Sequence, residues 1–353
     1  MWERYFDNAA TTPLDPRVLE AMLPYLGDEF GNANSLHAWG RRAQDAVERS
    51  RAQVADAIGA DDPSQIILTS GATEGNNWVL SNFREGAVSP FEHSSVWETA
   101  KACGMAMLQN NGLNLCAPKG RLPFISVMAV NNVIGARLDV SGMRPCAAVL
   151  HSDITQAAAK YETDLDCLDY ATFSAHKFYG PKGVGALYMR DTPLSPMLHG
   201  GEHEQGLRAG TLNVPGIVGI GFAAALAREN RESDLLHATN LGQIVEEELQ
   251  GLSDFQVNGG SDRAPHILSL SFLGLQGEAL VVELDAAGYG ISSGAACSSR
   301  STKPSHVLTA LGVQPEWLQG TVRVSFGRFN TAAAARGLGS ALSKAVAGLR
   351  RLK

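Results

Sequence analysis

The sequence contains few cysteines, and their spacing excludes two common structural roles. The 353 residues include five of them, none in a C-x-x-C pair. They are Cys103, Cys116, Cys146, Cys167 and Cys297. Because the count is odd and the positions are scattered, we expect neither a disulfide framework nor a zinc site. The same pattern predicts a reducing compartment.

Charge is also sparse, and no run of basic residues occurs. Charged residues make up 18% of the chain, and 29 Lys and Arg against 36 Asp and Glu give a net charge of −7. A mildly acidic chain without a basic cluster lacks the electrostatic signature of proteins that bind nucleic acid or anionic membranes. We therefore expect neither as a partner.

Long apolar runs are missing as well. The longest, residues 217–227, is too short to span a bilayer. Charges at Glu3, Arg4 and Asp7 interrupt the start of the chain, so we expect no signal peptide and a cytoplasmic location. The 44% hydrophobic content is ordinary for a globular enzyme, and 353 residues predict two domains.

Short apolar runs alternate with helical patterns through the first half of the chain. Strands are predicted at 66–70, 123–130, 147–153, 170–177 and 183–190, and a helix over 40–58. This order favours an α/β fold with a largely parallel sheet between helices. Chemistry in such sheets gathers beyond the carboxyl ends of the strands. The polar residues there are Thr73, Asn132, Asp153, His176 and Lys177.

The pattern changes after a helical block at 216–251. Residues 266–274 alternate like a half-buried strand, 278–288 are typical of a helix, 321–329 of a strand, and 331–353 of an alanine-rich helix. These elements predict a small α+β domain. We assign residues 14–257 to a large domain, and residues 1–13 and 258–353 to the small domain, which carries Cys297.

Several residues at the predicted strand ends suit one kind of chemistry. Lys177 directly follows a strand, near other cations, as a lysine that forms a Schiff base requires. Asp153 ends another strand and could keep a pyridine nitrogen protonated. The turn at 71–73, which includes Thr73, could bind a phosphate at a helix N-terminus. His93 could lie flat over an aromatic cofactor.

Each of these residues also has an ordinary structural explanation. Lys177 alone would be a solvated loop lysine, Asp153 a strand-end cap, Thr73 a helix cap and His93 a hydrogen-bonded loop histidine. Cys297 alone would be a small buried hydrophobe. Its neighbours in 292–301 are mostly serine, glycine and alanine, which pack little, and they predict a mobile loop. The case for a site therefore depends on the whole set.

Taken in order, the motifs resemble those of the cysteine desulfurases. They are "DNAATTPLDP", "TSGATEGNN", "EHSSV", "VNNVIG", "HSDITQ", "SAHKFYGPKGVGAL", "HGGEHEQGLRAGT", "SSGAACSSRSTKPSHVL" and "VRVSFGRFNT". These enzymes are of the class V aminotransferase type and have the pyridoxal-phosphate (PLP) fold type I. The resemblance implies a large domain with a mostly parallel, seven-stranded sheet, a small α+β domain, and PLP as cofactor.

The resemblance also implies roles for residues around the cofactor ring. Lys177 is similar to the lysine that forms the Schiff base, and Asp153 to the partner of the pyridine nitrogen. Gln156 resembles the donor to the phenolic oxygen, and His93 the residue that stacks on the ring. Asn132 matches the asparagine near the cofactor oxygen.

Other roles concern the phosphate and the substrate. The phosphate ligands implied are Thr73 with the Ala72 N–H, Ser174 and His176. Thr211 matches a threonine that reaches the phosphate of the neighbouring subunit, which implies a homodimer with shared active sites. Arg323 matches the arginine that holds the substrate carboxylate, a bidentate task that suits arginine.

The implied reaction converts L-cysteine to L-alanine and leaves a persulfide on Cys297. A sulfur-acceptor protein, of a scaffold or shuttle type, would take the sulfur for iron–sulfur clusters or other thio-cofactors. Two alternatives stay open. The first is a different enzyme of the same fold: a selenocysteine lyase, another PLP lyase or a transaminase. The second is a non-catalytic assembly scaffold. The sequence departs from the family pattern at Glu202 and at Gln205, which bears on the geometry of that loop.

Overall fold

The computed structural model describes residues 2–294 and 305–351. Its helices are α1 Pro16–Leu26, α2 Ala38–Ile58, α3 Ala72–Ser81, α4 Ser94–Ala102, α5 Val214–Glu229, α6 Arg231–Glu248, α7 Gly277–Ala286, α8 His306–Leu311, α9 Pro315–Leu318 and α10 Ala332–Arg351. Its strands are β1 Ile66–Thr69, β2 Ala87–Val88, β3 Ala106–Met107, β4 Asn110–Asn111, β5 Asn114–Leu115, β6 Leu122–Ser126, β7 Ala147–Asp153, β8 Tyr170–Ser174, β9 Gly185–Met189, β10 Phe255–Asn258, β11 Ile267–Phe272, β12 Ser292–Ser293 and β13 Thr321–Ser325.

The larger sheet has seven strands in the order β1-β9-β8-β7-β6-β2-β3. The strands from β8 to β3 pair in parallel, whereas β9 runs antiparallel to both of its neighbours. Every residue of β1, β8 and β9 is buried, as expected for strands covered on both faces. The predicted α/β fold with a mostly parallel seven-stranded sheet is confirmed.

Helices α1, α2 and α5 pack together beside this sheet. Helix α2 buries Val47, Val54 and Ile58 at helical spacing, and it ends at Gly59, whose φ of 81° lies in the left-handed region. Asp15 caps α1 by accepting a hydrogen bond from the Arg17 N–H. Strong local patterns of this kind explain why the helix predicted at 40–58 lies within two residues of α2.

The second sheet has four antiparallel strands in the order β10-β11-β13-β12. Leu268, Leu270 and Phe272 of β11 join side chains of α6, α7 and α10 in a separate hydrophobic core. Ser269 and Ser271, on the opposite face, accept hydrogen bonds from Asn258. All six residues of β11 are buried, so the expectation of a half-buried strand is wrong. Its serines are covered and paired with polar partners.

The start of the chain connects the second sheet to the end of β8. Tyr5 and Asp7 bridge to Gly290 and Ser325, and Thr12 N–H donates to the His176 carbonyl. The two-domain division at residue 258 stays a prediction. Helix α6 packs with the second core, which favours a boundary before that helix. Within the described ranges, no helix is both long enough and apolar enough to cross a membrane.

Candidate active site

A cavity of about 310 Å³ opens where β7 and β8 of the larger sheet end, beside β13 of the smaller sheet. Ten of the twelve predicted site residues line it: Ala72, Thr73, His93, Asn132, Asp153, Gln156, Ser174, His176, Lys177 and Arg323. Its other lining residues are Ala9, Ala10, Met128 and Thr155. The carboxyl-end rule for parallel sheets therefore located this cavity correctly.

Lys177 enters the cavity from a 3-10 turn, Ala175–Lys177, that directly follows β8. Its Nζ donates hydrogen bonds to the carbonyls of Ala9, at 2.8 Å, and Ala10, at 2.6 Å. The amine is therefore held by the N-terminal segment. Burial lowers the pKa of the adjacent His176 to about 4, and the charges of Lys177 and Lys182 add to the effect. His176 is consequently a neutral neighbour of the lysine.

Asp153 presents a buried carboxylate at the last position of β7. Its Oδ2 accepts from Asn76 Nδ2 at 2.8 Å, and its Oδ1 accepts from the Thr155 N–H at 2.9 Å. The same Asn76 amide also donates to Ser95 at 2.8 Å. A buried carboxylate held by these two donors suits a protonated ring nitrogen in the cavity. Sequence reasoning missed Asn76, the residue that orients it.

His93 lies at the N-cap of α4, a position that fixes its ring. Its Nδ1 accepts from the Ser95 N–H at 3.2 Å and lies 2.8 Å from the Ser95 hydroxyl. Since Ser95 also binds Asn76, the His93 ring and the Asp153 carboxylate belong to one hydrogen-bond network. The serines of "EHSSV" are typical of a helix start, but nothing in the sequence indicates that Asn76 connects Ser95 to Asp153.

The turn from β1 into α3 forms a cradle with Ser174. The Ala72 N–H, in the first turn of α3, donates to the Ser174 hydroxyl at 2.8 Å. Gly71 has φ 151°, and a Cβ built there would lie 3.2 Å from that hydroxyl. Glycine keeps the turn close to β8, and the helix N-terminus with two hydroxyl residues, Thr73 and Ser174, can bind a phosphate.

Arg323 reaches the cavity from β13 and is only 1% exposed. Its guanidinium donates to Asp7 Oδ1 at 2.7 Å and to the Asn132 carbonyl at 2.8 Å. Its Nε has no hydrogen-bond partner among the residues that the structure describes. Buried guanidinium nitrogens are normally satisfied, so this one suits an anionic ligand in the cavity. Asp7, its ion-pair partner, is a second residue that sequence reasoning missed.

One predicted site residue lies outside the cavity, and another falls outside the described residues. Thr211 is exposed, outside the cavity, in the segment between the 3-10 turn Glu204–Gly206 and α5. Cys297 lies outside the described residues, so its predicted position on a mobile loop stays a prediction.

The loop that departs from the family pattern has an unexpected anchor. The Glu204 carboxylate is fully buried, accepts two hydrogen bonds from Arg51 at 2.7 and 2.8 Å, and accepts a third from the Leu68 N–H. Both Glu204 and Gln205 have positive φ, at 47° and 60°. The anchor holds this strained turn against α2 and β1.

Comparisons with known proteins agree with this arrangement. The family model of class V aminotransferases matches residues 4–336. A cysteine desulfurase IscS of Neisseria meningitidis serogroup C is 40% identical over 93% of this chain and 88% of its own. The corresponding protein of Anaeromyxobacter dehalogenans is also 40% identical, over the same shares.

Solved structures give the same result. A NifS-like protein superposes with a TM-score of 0.89 at 32% identity, covering 98% of this chain and 100% of that one. SspA in complex with cysteine gives a TM-score of 0.76 at 29% identity, covering 93% of this chain and 100% of that one.

Proposed function

This chain belongs to the cysteine desulfurases of the class V aminotransferase family, and from that premise we propose how its residues convert L-cysteine to L-alanine and pass on the sulfur. The observation that carries the proposal is one cavity lined by Lys177, Asp153 and Arg323. A lysine, a buried carboxylate and an arginine there are the set that an amino-acid substrate and a pyridine cofactor require. A non-catalytic scaffold would not need all three.

The residues of the cavity fit PLP, the cofactor on which this family depends. About 310 Å³ lies within the range of small-molecule sites. Lys177 would bond the cofactor covalently, Asp153 would hold the ring nitrogen, and His93 would cover the ring. The cradle of Ala72, Thr73 and Ser174, with His176, would bind the phosphate. When bound, the cofactor supplies an electron sink for the carbanion at the substrate's α-carbon.

Lys177 is the basic group that we assign to proton movement at the α-carbon. Its Nζ is held by the Ala9 and Ala10 carbonyls, so the lysine is oriented on a fixed backbone. Burial keeps the adjacent His176 neutral, so His176 places no second positive charge beside the lysine.

Arg323 is the group that we assign to the substrate carboxylate. A guanidinium binds a carboxylate through parallel N–H donors, and the Asp7 ion pair fixes its plane. Because β13 carries Arg323 and β8 leads into Lys177, the substrate would lie between the two sheets.

Cys297 is the thiol that we assign as sulfur acceptor. Its thiolate would attack the substrate sulfur, an S–S bond would form, and the C–S bond would break with its electron pair left on the carbon side. A proton added there gives L-alanine, and the sulfur leaves as the Cys297 persulfide. An acceptor protein of scaffold or shuttle type would then receive it, in a cytoplasmic setting consistent with the scattered thiols.

A homodimer with shared sites completes the proposal. Thr211 is exposed and outside the cavity of its own chain, as a residue that serves another subunit's phosphate must be. Large apolar side chains are exposed around α1 and the start of α2: Leu19, Leu23, Leu26, Phe30, Leu36 and Trp39. Several large exposed apolar side chains within one stretch of the chain, residues 19–39, favour an association surface.

Replacing Cys297 tests the proposed reaction. We expect Cys297→Ser to keep the absorption of bound PLP but to lose alanine release from L-cysteine and the persulfide detected by mass spectrometry. Cys116→Ser, which changes an exposed cysteine, is the matched control and should behave as wild type. Retained alanine release in Cys297→Ser would refute the assigned acceptor. Activity with L-selenocysteine but none with L-cysteine in the wild type would favour a selenocysteine lyase.

A further inference from the structure

A buried hydrogen-bond chain lies directly behind Gln156. The Gln156 Nε2 donates to the Ala9 carbonyl at 2.9 Å, and its Oε1 lies 3.3 Å from His266 Nε2. The His266 Nδ1 lies 3.0 Å from the Tyr161 hydroxyl. Gln156 is 2% and His266 6% exposed, so water does not compete for these contacts. None of the motifs that identified the site includes Tyr161 or His266.

The contacts determine which atoms carry the protons. The Ala9 carbonyl can only accept, so the amide nitrogen of Gln156 faces it and the amide oxygen faces His266. His266 Nε2 must then donate. Burial and the charges of Lys160 and Arg323 hold the pKa of His266 well below its usual value, so the ring is neutral. Its Nδ1 is therefore an acceptor, and Tyr161 is the donor to it.

This direction of hydrogen-bond donation leaves one N–H of Gln156 for a ligand in the cavity. Gln156 has two N–H donors, and the Ala9 carbonyl takes one of them. Because Gln156 lines the cavity, the remaining N–H is available to an acceptor there. Hydrogen bonds in series polarise each other, so donation from Tyr161 through His266 strengthens that last N–H as a donor.

The series of hydrogen bonds from Tyr161 through His266 to Gln156 also connects the two sheets. Gln156 and Tyr161 follow β7, whereas His266 directly precedes β11, the strand that pairs with the Arg323 strand β13. The orientation of the Gln156 amide therefore depends on how the second sheet lies against the first. Ala9, from the N-terminal segment, also accepts from Lys177, so the same backbone atom positions both the amide and the amine.

We infer that His266 and Tyr161 are positioning residues that orient and polarise the Gln156 amide toward the phenolic oxygen of the bound cofactor. This inference rests on the proposed function, because it requires that PLP occupies the cavity. The two residues do not touch the cofactor; they act through Gln156. A better donor at that oxygen stabilises its anionic form and lowers the pH at which the cofactor gains its proton.

The test is a pH titration of the visible absorption of the holoenzyme. We expect His266→Phe to move the midpoint upward by about 0.3–0.5 pH unit, the size of a partial loss of polarisation. Tyr161→Phe should move it in the same direction by a similar or smaller amount. Gln156→Leu removes the donor itself and should move it by about one unit. His266→Gln, which keeps an N–H donor, should move the midpoint less than His266→Phe does.

A double variant tests whether Tyr161 acts through His266. Tyr161 acts only through His266, so the double variant should shift no further than His266→Phe alone. Ser271→Ala is the matched control, because it removes a buried hydrogen-bonding hydroxyl from β11 and leaves the hydrogen bonds of Tyr161, His266 and Gln156 in place. An equal shift in Ser271→Ala, additive shifts in the double variant, or an unchanged midpoint in His266→Phe would overturn the inference. A wild-type protein without cofactor absorption would instead overturn the proposed function.

Discussion

At the scale of single residues, the site is made of side chains that neighbouring side chains or backbone carbonyls hold in position. Asp153 is oriented by Asn76, Arg323 by Asp7 and Lys177 by two backbone carbonyls. Chemistry that depends on short, directed contacts requires such support. Substitutions that keep the charge but change the geometry should therefore separate binding from folding.

Arg323→Lys is the clearest case. Lysine keeps the positive charge but loses the planar pair of donors, so we expect KM for L-cysteine to rise about 10- to 100-fold with an unchanged cofactor spectrum. Steady-state kinetics and absorption spectra of the same preparation measure both quantities. Arg336→Lys, on the exposed part of α10, is the control. An unaltered KM would mean that the substrate carboxylate binds elsewhere.

Glu92 gives a prediction about stability and pH. Burial raises its pKa to about 8, and the charge of Asp153 adds to the effect. The unfolded chain ionises near 4.5, so the carboxyl contributes fully to stability below that pH and loses its contribution as the pH rises toward 8. Glutamine cannot ionise, and it can accept the same bonds from Ser89 and the Met128 N–H.

We therefore expect Glu92→Gln to gain stability relative to wild type between about pH 5 and pH 8, by on the order of 1 kcal/mol or more. Urea unfolding across this range measures the difference. Glu98→Gln, at an exposed position of α4, should show no comparable trend. A constant difference between Glu92→Gln and wild type at all pH values would contradict the assignment.

At the scale of elements, the positions of the strands could be predicted, but some of their ends and the long-range pairs could not. The strands predicted at 123–130 and 170–177 end earlier, at Ser126 and Ser174. Strand β7 was predicted with its observed bounds: it begins with the apolar run at residues 147–150 and ends at the buried carboxylate of Asp153. The antiparallel direction of β9 has no local signal, since a parallel and an antiparallel buried strand have the same apolar pattern. Asp7 and Arg323 are 316 positions apart, and nothing near either residue indicates the other.

The Glu204 turn is an element held by one ion pair. Glu204→Gln removes the buried carboxylate and leaves Arg51 paired with the half-exposed Glu48 carboxylate, and we expect a loss of up to about 3–5 kcal/mol in the free energy of unfolding. Urea titration measures it. Glu29→Gln breaks an exposed pair with Arg42 and should cost less than about 1 kcal/mol. Replacing both partners, as Arg51→Met with Glu204→Leu, should recover much of the loss. A cost below 1 kcal/mol for Glu204→Gln would show that the pair does not anchor the turn.

At the scale of the whole molecule, one residue assigned to the site does not line the cavity of its own chain. Ten of the twelve predicted residues line the cavity, but Thr211 is exposed outside it. If two chains share sites, the Lys177 of one subunit and the Thr211 of the other serve the same cofactor. A dimer that pairs a Lys177→Ala subunit with a Thr211→Ala subunit would then contain one intact site and one doubly defective site.

Mixing these two variants tests the shared site directly. Lys177→Ala alone should be inactive, and Thr211→Ala alone should lose cofactor more readily because a phosphate contact is missing. After the two are unfolded, mixed and refolded together, we expect alanine release that persists at cofactor concentrations too low to support either parent. Separately refolded parents, combined only afterwards under conditions without subunit exchange, are the control. If the co-refolded mixture shows no more activity than that control, Thr211 acts within its own chain or not at all. In that case the exposed apolar residues around α1 would have to be explained without a shared active site.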